Sequence, residues 1–145
     1  IAASLRYGVA ALRELDIALG EALPADRVVV GGLDRKDAVA AGSPAEVARR
    51  GAFVALDHIG HEAGGYISDR ECAELVAELV NAGHGNRVLL SSNAIGVAKG
   101  QPDNNLPYSY ILSTFTPMLK EQGVSEETIQ NILVDNPRHL LSMAG

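Results

Sequence analysis

Three short apolar runs punctuate the chain: Val28-Val29-Val30, Phe53-Val54-Ala55-Leu56 and Val88-Leu89-Leu90. Each stops in a burst of small and polar residues, namely Gly31-Gly32-Leu33-Asp34, Asp57-His58-Ile59-Gly60-His61 and Ser91-Ser92-Asn93. Continuous apolar runs of this length, closed by turn-forming residues, read as strands buried on both faces. The first strand is expected over about Arg27 to Gly31, after a loop from Glu21 to Asp26 that contains Pro24. The third is expected over about Arg87 to Ser91.

Helical spacing fills the intervals. Val9, Leu12, Leu15 and Leu19 make one stripe of a helix over about Ser4 to Gly20. Ser43-Pro44-Ala45-Glu46 has the form of a capping box with proline at the first helical position, and its short helix stops near Gly51. Ser68-Asp69-Arg70-Glu71 is a second capping box. It opens a helix whose Cys72, Leu75, Val76, Leu79 and Val80 share a face and which Gly83 is placed to end. A glycine- and asparagine-rich loop, Gly96 to Pro107, is long enough to line a site. Tyr108 to Gln122 reads as a helix stopped by Gly123. Ser125 caps another with Ile129, Ile132 and Leu133 inward; Asn136-Pro137 is expected to break it before a last turn, Arg138 to Ser142.

The order α, β, α, β, α, β and then helices is that of a parallel α/β architecture, whose chemistry gathers at the carboxyl ends of the strands. Three strands cannot close a barrel, which takes eight, and left alone they would present apolar edges. Part of a (β/α)8 barrel, strands 6 to 8 with their flanking helices, cut from a longer chain, is therefore favoured over a small open sandwich. A doubly wound domain that binds ligand at a topological switch point is a third reading.

Composition narrows the partners. The 145 residues carry a net charge of −6 and 47% hydrophobic content, enough for a packed core but without the cationic face that nucleic acid or an anionic membrane would need. No apolar stretch approaches the roughly 20 residues that cross a bilayer. The single cysteine, Cys72, cannot form an internal disulfide and points to a reducing, cytoplasmic compartment. On the apolar face of its helix it is expected to be buried and inert.

Several polar residues at the strand tips carry both a structural and a functional reading. Asp57 can cap its loop with backbone N–H groups or serve a site. His58 and His61 can be hydrogen-bonded strand-end histidines or site-lining groups. Gly31-Gly32 is a tight turn or a close backbone approach rather than a phosphate cradle. His84 and His139 fall outside the tips and read as structural or solvated, His139 favouring a helix C-terminus. Lys99, in the long loop, reads as a solvated lysine.

Taken together, Asp57-His58-Ile59-Gly60-His61 behind an apolar strand, Arg87 to Asn93, and Gly123-Val124-Ser125-Glu126-Glu127 followed by Ile132-Leu133-Val134-Asp135-Asn136-Pro137 resemble the C-terminal half of the phosphotriesterase family. That family belongs to the amidohydrolase superfamily and includes aryldialkylphosphatases and phosphotriesterase-like lactonases. The resemblance covers essentially residues 1–145. It implies a (β/α)8 barrel in which two divalent metals, usually zinc, activate a bridging hydroxide against phosphotriester, lactone or related ester bonds.

The resemblance also assigns residues. It makes Asp57 and His58 a proton relay behind the metals, Asp34 the relay's outer carboxylate, and His61 and Asn93 contacts to a small-molecule ester substrate. Most of the family's metal ligands would lie upstream of Ile1. The two ligand positions inside the chain both depart from the pattern: Gly32 stands where a sixth-strand histidine is expected, and Asn93 where an eighth-strand aspartate is expected. Glycine has no ligating side chain, and the neutral asparagine amide is a weaker ligand than carboxylate. No metal site is therefore intact in this chain, and zinc is implied only for the full-length protein. Those two departures also support an alternative, an inactive homologue that binds a small molecule or serves as an assembly subunit. A homodimer is compatible with either.

Overall fold

The computed structural model describes residues 8–61, 64–93 and 106–142. Ile1 to Ser4, Lys99 and nearly all of the Gly96–Pro107 loop lie outside them. Three strands form one parallel sheet in the order β1 (Val29–Val30), β2 (Phe53–Leu56), β3 (Val88–Leu90). Val29 pairs with Phe53, and Val54, Ala55 and Leu56 pair with Val88, Leu89 and Leu90. This register puts the polar tips of neighbouring strands side by side. The ladder runs on past the strands: the Leu33 N–H donates to the Ala55 carbonyl (3.3 Å), Ser91 N–H to Leu56 (2.9 Å) and Ile59 N–H to Ser91 (3.2 Å).

Helices cover the sheet. α1 (Gly8–Gly20) buries Ala11 and Leu15, with Leu12 and Leu19 partly covered. α4 (Asp69–Asn81) begins in the expected capping box and buries Cys72, Val76 and Leu79 against the core. Burial and the neighbouring Asp34, Asp69 and Glu71 charges push the Cys72 thiol up, which keeps it unreactive at neutral pH. Among the described residues no helix is long and apolar enough to cross a membrane.

Some expectations need correction. The first strand is only Val29–Val30, and α2 (Lys36–Ala40) was not legible in the sequence. α3 (Ser43–Arg49) carries no side-chain cap: Gly42 takes the cap position, and Ser43 is already inside the helix and buried. With Gly42 at the cap, Glu46 lies one position too far along to close a box, and two arginines hold its side chain, Arg49 at 2.7 and 2.8 Å and Arg50 at 2.7 Å, while Arg50 also reaches Asp16 of α1.

Nor does Asn136-Pro137 break its helix. α5 comprises Ile111–Phe115 and Thr116–Glu121; α6 comprises Glu126–Gln130, Asn131–Asp135 and Asn136–Leu141 in one run. In each, the turn before proline is widened, so that Thr116 N–H donates to the Ile111 carbonyl and Asn136 N–H to that of Asn131, five residues back. Proline lacks an N–H and its ring clashes with the carbonyl four residues earlier. One extra residue in the turn moves that carbonyl aside and lets the helix continue.

α6 is bound to the amino ends of the strands. Asn136 Nδ2 donates to the Gly85 and Val88 carbonyls at 2.9 and 2.8 Å. Arg27 Nη1 donates to the carbonyls of His139, Leu140 and Ser142 at 3.0, 3.1 and 2.6 Å, which caps the helix C-terminus. His139 Nε2 lies 3.2 Å from Asp26 Oδ2, so it serves this lock and not the strand tips.

Candidate functional site

The tips of β1 and β2 are joined by two carboxylates and one imidazole. Asp34, 1% exposed, accepts the His58 backbone N–H at Oδ2 (2.6 Å), and its Oδ1 lies 3.3 Å from His58 Nδ1. Asp57 Oδ1 lies 2.8 Å from the same Nδ1 and accepts the Gly32 N–H at 3.0 Å. Asp57 thus joins the β1 tip to the imidazole rather than capping its own loop.

Nδ1 faces these two carboxylates, which places a proton on Nδ1 and fixes the direction of the ring. The His58 ring is also stacked on Tyr66, with centroids 3.8 Å apart and planes 19° from parallel; Arg35 lies 5.9 Å from the Tyr66 centroid on that platform. Burial, with the Asp57 charge adding to it, raises the Asp34 carboxyl above its ordinary value against the opposing pull of the His58 hydrogen bonds.

His61 turns the other way. Its N–H closes the turn onto the His58 carbonyl (2.9 Å), and its Nε2 lies 2.6 Å from the Ser92 carbonyl, an acceptor that requires the proton on Nε2. The ring therefore bridges from the β2 tip to the β3 tip. Asn93 follows Ser92 on that rim, exposed and at φ +47°, with its N–H on Ser91 Oγ at 3.3 Å. Gly32, Asp34, Asp57 and His58 form one hydrogen-bonded group; His61 links the turn to β3, and Asn93 stands beside that link.

Two participants escaped the sequence reading. Tyr66 reaches His58 because residues 64–67 fold back on the β1 loop, with Lys36 N–H on the Gly65 carbonyl and Ile67 N–H on that of Asp34, both 2.9 Å. An aromatic flanked by Gly64-Gly65 was the only local signal. Asp69 was visible only as part of a capping box, yet its carboxylate accepts the Gly60 N–H at 2.7 Å and the Tyr110 hydroxyl at 2.8 Å.

Asp34, Asp57 and His58 bring potential ligand atoms within 4.8 Å of one another. They do not rebuild the metal pair that the resemblance implies. Their facing atoms are engaged with Nδ1 and the backbone amides, Gly32 has no ligating side chain and gives its N–H to Asp57, and Asn93 offers a neutral amide. A hollow of about 340 Å³, lined in part by Asp26, Arg87, Asn131 and His139, lies at the amino ends of the strands, away from this group.

The chain spans less than half the length of the curated relatives it matches. It is 29% identical over 150 residues to the phosphotriesterase homology protein of Mycobacterium tuberculosis, a match covering 99% of this chain and 44% of that protein. Over 56 residues, 39% of this chain and 15% of the relative, it is 43% identical to a phospho-furanose lactonase of Mycoplasmopsis agalactiae. The crystal structure of the Escherichia coli phosphotriesterase homology protein, complexed with phosphate in its active site, superposes with a TM-score of 0.83 at 26% identity, covering 98% of this chain and 48% of that one. The three parallel strands with their helices are thus part of a TIM barrel. With the Phosphotriesterase family model matching residues 3–141, the chain belongs to the phosphotriesterase family.

Proposed function

We propose that the protein is a hydrolase of ester bonds, acting on a phosphotriester, a lactone or a related carboxyl ester. The observation that carries this reading is His58, whose Nδ1 is held by Asp57 and Asp34 at the carboxyl ends of the strands. Ester hydrolysis must take a proton from the attacking water, and an imidazole oriented by carboxylates is suited to accept it. Asp57 and Asp34 hold the ring and stabilise the imidazolium that results. In this reading His61, which reaches from the β2 tip to the Ser92 carbonyl, and Asn93 on the β3 rim contact the substrate. The zinc pair implied by the family finds no full ligand set among the described residues, and no step is assigned to it.

The test is hydrolysis of one phosphotriester, one lactone and one aryl carboxyl ester by the complete protein and its His58→Ala variant. Turnover of at least one, reduced about 10²–10⁴-fold in the variant, is expected. No turnover of any of the three by folded protein overturns the reading. Gly32 and Asn93 favour a second one, a homologue that binds such a molecule without cleaving it. Saturable binding of an ester analogue with no turnover identifies that case.

A further inference from the structure

We propose that Asp69 and Tyr110 are positioning residues that set the His58–His61 turn and thereby the placement of both imidazoles. The inference deepens the hydrolase reading and rests on it for its kinetic part.

The turn is short, and its two histidines are held at their outer ends, His58 by Asp34 and Asp57, His61 by the Ser92 carbonyl. Its middle is held from outside the sheet. Gly60 donates its N–H to Asp69 Oδ1 at 2.7 Å, and Asp69 Oδ2 accepts the Tyr110 hydroxyl at 2.8 Å. Asp69 is 6% exposed and begins α4, where the helix dipole favours its negative charge. A buried carboxylate with one oxygen on a backbone amide and the other on a phenol joins those two groups with little slack.

Packing supports the same coupling. Gly60 has φ +89°, and a Cβ there would lie 2.6 and 2.9 Å from the Leu106 methyls and 3.0 Å from a Tyr110 ring carbon. The backbone of the turn is therefore in direct contact with residues 106–110, the stretch that leads into α5. A displacement of Tyr110 reaches Gly60 through both the hydrogen bonds and this contact. The peptide that moves lies two residues from His58 and next to His61.

Two variants of the complete protein test this. Tyr110→Phe removes one hydroxyl and keeps the ring packing; Asp69→Asn keeps an acceptor but loses the charge. Both are expected to raise KM for the best ester about tenfold with a smaller change in kcat. They are also expected to speed Gly60 amide hydrogen exchange about tenfold and to move the His61 ring signals in NMR. A purely structural role predicts a lower Tm with KM and the histidine signals unchanged, and that result overturns the proposal. If Asp69→Asn does not fold, Tyr110→Phe alone decides. A protein that cleaves no ester, yet whose Gly60 and His61 signals respond, refutes the hydrolase reading and leaves the positioning role standing. One that cleaves esters while both variants behave as the parent does the reverse.

Discussion

Asp34 grips His58 at two points, accepting its backbone N–H at Oδ2 (2.6 Å) while Oδ1 faces ring Nδ1 at 3.3 Å. One buried carboxylate thus ties the start of the β2 tip to the orientation of its imidazole. In Asp34→Asn the amide oxygen can keep the backbone bond, but the NH₂ group then confronts the Nδ1 proton. The substitution is expected to reduce ester hydrolysis about 10–100-fold, the usual scale for partners that orient an active-site histidine.

The same residue gives a pH signature of stability. Burial raises the Asp34 carboxyl above 3.8, so the folded state binds that proton more tightly than the unfolded chain. The contribution is fully present below pH 3.8 and is lost as pH rises through the shifted value. Chemical denaturation followed across pH 3–7 should show this slope in the parent, and Asp34→Asn should flatten it.

Glu46 acts in the opposite sense. Hydrogen bonds from Arg49 and Arg50 hold its carboxyl at about 2 against an ordinary 4.5. Its stabilisation is present above pH 4.5 and disappears as pH falls toward about 2. Glu46→Gln should soften the acid unfolding transition of the parent. Because the pair sits at the surface, 1 M salt should shrink the difference between the two proteins.

The strands and their polar tips were legible in the sequence because they rest on local pattern, whereas the roles of Asp34, Asp57 and His58 came from the family resemblance. A buried parallel strand must be continuously apolar, and its end must turn, so the Val-Val, Phe-Val-Ala-Leu and Val-Leu-Leu runs and their polar tips announce themselves. Parallel register then brings Asp34 to Asp57 and His58 without further information. The features that were missed depend on distant partners. Ser43 loses the cap position to Gly42, and the Glu46 side chain turns to Arg49 and Arg50, with Arg50 tied to Asp16 of another helix. Pro137 is absorbed by a widened turn whose Asn136 is fixed by carbonyls near position 85. Tyr66 and Asp69 acquire their roles only when residues 64–67 and 106–110 fold onto the tips, and no periodicity encodes that.

Asn136 is 5% exposed and supplies both protons that satisfy the Gly85 and Val88 carbonyls. Asn136→Ala removes both of these bonds under the start of β3, leaving the Gly85 carbonyl with the Val88 N–H alone, and is expected to cost about 1–3 kcal/mol. Asn136→Asp should be worse, since it sets a carboxylate against two carbonyl oxygens. Urea denaturation checks both, with an unchanged m-value confirming that the native fold persists.

The last prediction concerns the two positions where the family pattern expects metal ligands. Gly32 sits at φ +64°, a backbone that non-glycine residues adopt at a cost of about 1–2 kcal/mol, and it gives its N–H to Asp57. Glycine here therefore suits the local turn as well as removing a ligand. Asn93 sits at φ +47°, which aspartate tolerates nearly as well as asparagine. Gly32→His alone should therefore lower stability, Asn93→Asp alone should not, and the double variant of the complete protein should carry more zinc after dialysis than the parent, measured by elemental analysis. The gain should rise with pH as the new imidazole and carboxylate lose their protons. A double variant that folds yet retains no more zinc than the parent would show that positions 32 and 93 are not vacated ligand sites, and the relay geometry of Asp34, Asp57 and His58 would then stand without a metal beside it.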